Sequence, residues 1–140
     1  MQLAEDAKSR STCYVPKGAI LVRDNRMIST GYNDTPTGIL NCGEGGCERC
    51  AKRRINLIAS GQDLDRCSCV HAEANSIIQA ARYGVTILDS ILYTTFTPCT
   101  DCAKMLINAG IKRVVAKEKY PNDLGVYLMR NAGVKLDLYG

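Results

Sequence analysis

Apolar residues recur along the chain with two different periods, and the changes of period mark the elements. Short apolar runs at residues 19–23 and 27–32 flank Asp24-Asn25-Arg26. Asp and Asn tolerate the backbone of a tight turn, so the pair predicts an antiparallel hairpin. Ala74, Ile77, Ile78 and Ala81 then fall at i, i+3, i+4 and i+7, and the pattern stops at Gly84. That spacing predicts a helix over 72–83 with one apolar face and a glycine end. A strand over 91–95, a helix over 99–108, a strand over 113–116, a helix over 123–131 and a strand over 134–138 follow, with Gly110 and Gly133 closing the two helices. Strands alternating with short helices predict a sheet with parallel crossovers and helices on both faces.

The first half of the chain is less regular. Leu3, Ala7 and Arg10 predict a polar helix over 2–13, ending before Pro16-Lys17-Gly18. Residues 33–54 are rich in Gly, Thr, Pro, Asn and Cys without an apolar period, which predicts a long functional loop. A helix is expected over 53–60, then loop again to 68. No repeat or linker divides the chain, so residues 1–140 form one domain.

Composition narrows the class. At 140 residues and 46% hydrophobic, the chain is long enough to bury a core. The longest apolar runs are strand-sized, far below the ~18 residues of a membrane span. The N-terminal residues resemble neither a secretory signal nor an Arg-rich transit peptide, so a cytoplasmic protein without a membrane partner is expected. A net charge of +4, no Trp and a single Phe argue against a nucleic-acid polymer as partner and suit a small anionic ligand. Lys52-Arg53-Arg54 reads as a solvated face.

Eight cysteines are the outlier. Reducing compartments disfavour disulfides, so clustered thiols point to metal or redox chemistry. His71, the one histidine, lies in Cys69-Val70-His71-Ala72-Glu73 at a helix start. Alone it reads as structural. Thr97-Pro98-Cys99-Thr100-Asp101-Cys102 places two thiols at i and i+3 of another helix start, where the helix dipole favours thiolates. One imidazole and two sulfurs leave a tetrahedral zinc with an open position, the arrangement of a catalytic site. Glu73 then has a role in moving protons, beside the plainer one of facing a helix N-terminus. His-x-Glu with Pro-Cys-x-x-Cys is the signature of zinc nucleobase deaminases, and a thioredoxin-like redox pair is the lesser reading of Cys99 and Cys102.

With these motifs, the stretch from Gly18 through Gly31-Tyr32-Asn33, Thr35-Pro36, His71-Ala72-Glu73-x-Asn75 and Pro98-Cys99-x-x-Cys102 to Arg113 resembles the deoxycytidylate (dCMP) deaminases of bacteria and large bacteriophages. The resemblance implies a three-layer α/β/α cytidine deaminase-like fold with a five-stranded mixed sheet. It implies one zinc held by His71, Cys99 and Cys102, and Glu73 as the catalytic proton carrier that turns cytosine into uracil. The backbone at Ala72 and Thr97, together with Pro98, would address the base. Asn33 would bond the sugar, and Tyr120 would pack on base or sugar or stand as a plain strand-end aromatic.

The resemblance further implies a homo-oligomer, with a hexamer favoured, activated by dCTP and inhibited by dTTP. The effector site would lie at Lys17, Thr35, Pro36 and Gly38, with Mg2+ accompanying the triphosphate. Asp34 stands where relatives commonly carry Gly, and a carboxylate there would repel phosphate. A second, structural zinc is expected on Cys42, Cys47 and Cys50 with Cys67 or Cys69. Cys13 stands alone in the sequence, and Phe96 occupies a region where some phage relatives supply histidine. The alternative for these thiols is burial as small apolar groups. Other readings of the whole chain are a deaminase of another nucleoside or base and a zinc-binding module without catalysis.

Overall fold

The computed structural model describes residues 1–119 and 123–140. Tyr120 lies outside the described residues. Strands β1 (Gly18–Arg23) and β2 (Arg26–Tyr32) form the hairpin, joined through Asp24 and Asn25, both at positive φ of 53° and 59°. Two successive left-handed residues match the right-handed twist of the paired strands. A register shift between Leu21 and Val22 bends β1 near this turn. Strands β3 (Ile91–Phe96), β4 (Arg113–Glu118) and β5 (Lys135–Leu138) complete a five-stranded sheet in the order β2-β1-β3-β4-β5. β1 pairs antiparallel with β2 and β3, whereas β3, β4 and β5 run parallel. This is the mixed sheet expected.

Among the described residues five α-helices surround it: α1 (Gln2–Lys8), α2 (Glu48–Arg54), α3 (Ala72–Tyr83), α4 (Thr100–Asn108) and α5 (Asp123–Asn131). Alternation along β1 assigns their sides. A Cβ on Gly18 would meet the backbone of α1 at Ala4 O, 2.1 Å away, and one on Gly31 would meet α3 at Ala72 O, also 2.1 Å. Gly31 pairs with Ala19, the neighbour of Gly18, so the two glycines open opposite faces of the hairpin. Helix α1 therefore covers one face and α3 the other. The main core lies on the α3 side, where Ala19, Leu21, Leu92 and Val114 from the strands meet Ala72, Ala103, Leu106 and Met129 from the helices.

The helix over 72–83 has the bounds the periodicity predicts, and Gly84 caps it at φ 68°. Two expectations are corrected. The first helix stops at Lys8 instead of running to 13, because the hydroxyls of Ser11 and Thr12 are drawn into bonds with Asn33 and Asp34. The helix placed over 53–60 instead spans Glu48–Arg54, inside the stretch read as loop, and the chain turns at Asn56 with φ 58°. Its fixed points are cysteines, which apolar periodicity does not count as anchors. No helix among the described residues is long and apolar enough to cross a membrane.

Candidate active site and a second thiol cluster

Two helix starts meet at the site. His71 is the residue before α3, in extended conformation, and Cys99 holds the same position before α4. The Cys99 sulfur accepts the amide hydrogen of Cys102 at 3.5 Å, which turns both thiols of the Cys-x-x-Cys toward one point. His71 Nδ1 lies 3.4 Å from Cys99 Sγ and 3.5 Å from Cys102 Sγ. A tetrahedral zinc with bonds of about 2.3 Å to sulfur and about 2.0–2.1 Å to nitrogen requires an N···S edge of about 3.5 Å. The three donors therefore fit the ion. Cys102 is buried, Cys99 half-buried and His71 exposed, so the set faces solvent on the histidine side.

The electrostatics agree with a shared cation site. Hydrogen bonding from Cys102 and then from His71 draws the Cys99 thiol down to about 4, against the cost of burial. The Cys99 contact pushes His71 up to about 9, and the Cys102 thiol is driven upward by its bond to Cys99 and by burial. Metal binding releases such shared protons. Glu73 is buried, and desolvation raises its pKa while a hydrogen bond from Thr94 opposes the rise. Thr94 Oγ1 donates to Glu73 Oε1 at 2.9 Å. Sequence reasoning misses Thr94, whose position on the buried face of β3 is the one signal available.

Asn75 ties the start of α3 to the hairpin, donating from Nδ2 to Tyr32 O at 2.8 Å. Gly31 lets α3 lie against β2 at the same level. The Gly-Tyr-Asn and His-x-Glu-x-Asn motifs are thus one contact. Asn33 is buried, with Oδ1 accepting from Ser11 Oγ at 2.8 Å and from Lys17 N at 2.6 Å, and Nδ2 donating to Val15 O at 2.9 Å. Thr97 is buried next to Pro98, and its amide hydrogen goes to Glu118 O at 2.9 Å. Ala72 is fully buried as the first residue of α3.

The residues suggested for an effector are dispersed in their bonding. Lys17 places Nζ 3.6 Å above the Phe96 ring, and partial burial lowers its pKa. Thr35 donates its hydroxyl to Leu40 O, while Pro36 and Gly38 lie in an exposed turn. Asp34 is hydrogen-bonded and is not a spare charge. Its Oδ1 accepts from Thr12 Oγ1 at 2.6 Å and from Thr35 N at 2.9 Å, and its backbone exchanges two hydrogen bonds with Val70.

Six of the eight free cysteines gather in a second cluster. The expected set Cys42, Cys47, Cys50 and Cys67 is regrouped. Cys42 and Cys67 belong to different groups of four, Cys13 with Cys42, Cys50 and Cys69, and Cys47 with Cys50, Cys67 and Cys69. Cys13 reaches the cluster because Thr12, bonded to Asp34 and to the amide of Cys42, folds its segment inward.

A mixed sheet flanked by helices thus brings His-x-Glu and Pro-Cys-x-x-Cys together at two adjoining helix starts, as a three-donor set that fits zinc beside a buried glutamate. The chain belongs to the family described as the cytidine and deoxycytidylate deaminase zinc-binding region, which matches residues 1–118. It is 42% identical to the deoxycytidylate deaminase of Schizosaccharomyces pombe over 99% of its own length and 42% of that protein's. Against the deoxycytidylate deaminase of Enterobacteria phage T4 it is 30% identical, covering 97% of this chain and 86% of the phage protein. The chain thus spans about two-fifths of the length of its yeast relatives. Among solved structures, the dCMP deaminase of cyanophage S-TIM5 in complex with dCMP and dUMP superposes with a TM-score of 0.78 at 29% identity, over 99% of this chain and 92% of that one. A bifunctional deaminase/reductase from Thermotoga maritima shares the fold, with a TM-score of 0.66 at 24% identity over 99% of this chain and 34% of that one.

Proposed function

We propose that the chain hydrolyses dCMP to dUMP and ammonia. The observation that carries this reading is the convergence of His71 Nδ1 with the Cys99 and Cys102 sulfurs beside a buried glutamate. Its substrate assignment is supported by the dCMP and dUMP bound to the cyanophage relative. His71, Cys99 and Cys102 would hold one zinc, which supplies Lewis acidity that lets water give up a proton near neutral pH.

Glu73 does the proton work. Burial raises its pKa, which favours uptake of a proton by its carboxyl. It takes a proton from the attacking water, gives it to pyrimidine N3, and later delivers one to the departing amine. Water adds its oxygen at C4 and the C4–N bond breaks, so water and dCMP balance dUMP and ammonia. The carbonyl of Thr97 and the first amide of α3, at Ala72, address the base edge, and Pro98 fixes the turn that presents it. Three bonds occupy Asn33, leaving one N–H for a sugar oxygen.

The wider reading adds a homo-oligomer, hexameric by resemblance, consistent with exposed Ile39, Leu40, Ile55 and Leu57. It adds dCTP and dTTP as effectors, with Mg2+, at Lys17 and the exposed turn of Pro36 and Gly38. A cytoplasmic setting suits eight unpaired cysteines.

Ammonia release from dCMP, cytidine and dCTP, measured side by side, tests the substrate. Turnover of dCMP alone is expected, and equal turnover of all three overturns the monophosphate reading. Glu73→Gln is expected to keep its zinc and lose roughly 10²–10⁴-fold in rate. A zinc module without catalysis would instead show no turnover in either protein.

A further inference from the structure

We infer that the second cluster is a binuclear zinc–thiolate centre, in which Cys50 and Cys69 bridge two ions. This goes beyond the deaminase reading, which needs only the ion at His71. The two groups of four sulfurs share Cys50 and Cys69 and no other member. Two tetrahedra joined along one edge have six vertices, the number of thiols present. Cys13 and Cys42 terminate one ion, and Cys47 and Cys67 terminate the other.

The spacing suits zinc. With Zn–S bonds of about 2.3 Å, the edge of a thiolate tetrahedron is about 3.8 Å. Cys13 and Cys50, an edge of the first group, are 3.9 Å apart, and Cys47 and Cys67, an edge of the second, are 3.8 Å apart. Both distances far exceed the ~2.05 Å of a disulfide. A single ion fills one group and leaves a pair over: Cys47 with Cys67, or Cys13 with Cys42. Cys47 is wholly buried and Cys42 nearly so, and both are aimed at the same centre as the rest.

The surroundings are those of ligating thiolates. Ser68 donates its amide hydrogen to Cys47 Sγ at 3.3 Å. Such N–H···S bonds orient a ligand and spread its charge. Six thiolates and two dications leave two negative charges, and α2, which carries Cys50, also carries Arg49, Lys52, Arg53 and Arg54. Cys69 lies two residues before His71, and Asp34 couples the adjacent Val70 to Thr12. The centre thereby fastens the 33–70 segment to the active site.

The test is the zinc count of the intact chain by native mass spectrometry, supported by elemental analysis. Three ions per chain are expected, and two or one overturns the proposal, as does iron with acid-labile sulfide. His71→Ala is expected to fall from three ions to two. Cys50→Ser is expected to retain one ion, at the His71 site, and retention of two overturns the bridging role. Should that variant fail to fold, wild-type protein exchanged with cadmium-113 decides. Two cluster resonances split by cadmium–cadmium coupling through a shared sulfur support the centre, and uncoupled resonances overturn it. A chain with three ions that leaves dCMP unchanged supports the centre while refuting the deaminase reading.

Discussion

Thr94 gives its hydroxyl hydrogen to Glu73 from the middle of the sheet, with Oγ1 and Oε1 2.9 Å apart and both residues buried. The same hydroxyl lies 3.1 Å from Phe96 O, a second acceptor for its one hydrogen. When Glu73 is ionised, Thr94 donates to the carboxylate. When Glu73 is protonated, Thr94 is free to accept from it and to donate to Phe96 instead. The hydroxyl therefore has a partner in both states of the carboxyl to which the proposed function gives the proton transfers.

Thr94→Val removes this partner at nearly constant volume. A hydrogen bond to a charged group is worth about 1.5–3 kcal/mol, so kcat for dCMP is expected to fall roughly tenfold to a hundredfold. The zinc count should not change, and Thr94→Ser should restore most of the rate. Steady-state kinetics with metal analysis on both variants checks this, and an unchanged kcat in Thr94→Val refutes the role.

Gly31 governs how closely α3 approaches the hairpin. An added methyl would start 2.1 Å from Ala72 O and 2.5 Å from Ser76 N, both backbone atoms that cannot rotate away. Gly31→Ala is expected to push the start of α3 outward, costing about 1–3 kcal/mol of stability by overpacking. Because His71 precedes that helix, zinc affinity at the set of His71, Cys99 and Cys102 should fall with it. Denaturant unfolding and zinc competition with a chelator measure the two effects.

Legibility in the sequence followed the kind of force that fixes each element. The helix over 72–83 and the parallel strands were readable because apolar burial imposes a period on them. His71, Glu73, Cys99 and Cys102 were readable because their spacing is local to two helix starts. Cys13 was not, since 28 residues lie between it and Cys42. It is brought in by Thr12, whose hydroxyl bonds Asp34 at 2.6 Å, and chain spacing carries no trace of that tertiary bond. Thr94 was hidden for a related reason: on a buried strand face it reads as a β-branched filler, and its partner lies on another element. The short helix Glu48–Arg54 has Cys50 as its one buried residue, so it offered no apolar period to read.

Asp34 illustrates how a residue that looks wrong for a phosphate site is right for its fold. Its carboxylate receives Thr12 Oγ1 and Thr35 N, and its backbone bridges Val70. Asp34→Ala is expected to lower stability by about 1–3 kcal/mol, the cost of leaving such donors without a partner. Its carboxylate is turned to these donors, so the substitution should not tighten dCTP or dTTP binding. Thermal unfolding and calorimetric titration of the two nucleotides read both outcomes, and a large gain in nucleotide affinity would show the carboxylate to be a repulsive gate.

Glu5 ties α1 to the far side of the sheet, with Lys117 Nζ 2.7 Å from its Oε1 and Lys8 at 3.4 Å from Oε2. The Lys117 hydrogen bond, foremost, holds its carboxyl below the ordinary value of 4.5. Arg113 does the same for Asp137 on β5, below its ordinary 3.8. A carboxyl depressed in the fold binds protons more readily in the unfolded chain, so its contribution is complete above the unfolded value and is lost as pH falls through the folded one. The melting temperature is therefore expected to decline as pH drops below about 4.5, the ordinary Glu value. Glu5→Gln should flatten part of that decline, and salt should shrink the difference because the pair is exposed enough to be screened. Melting curves of both proteins from neutral pH into this acid range, at low and high salt, decide it. Identical slopes would show that the Glu5–Lys117 contact contributes nothing to holding α1 on the sheet.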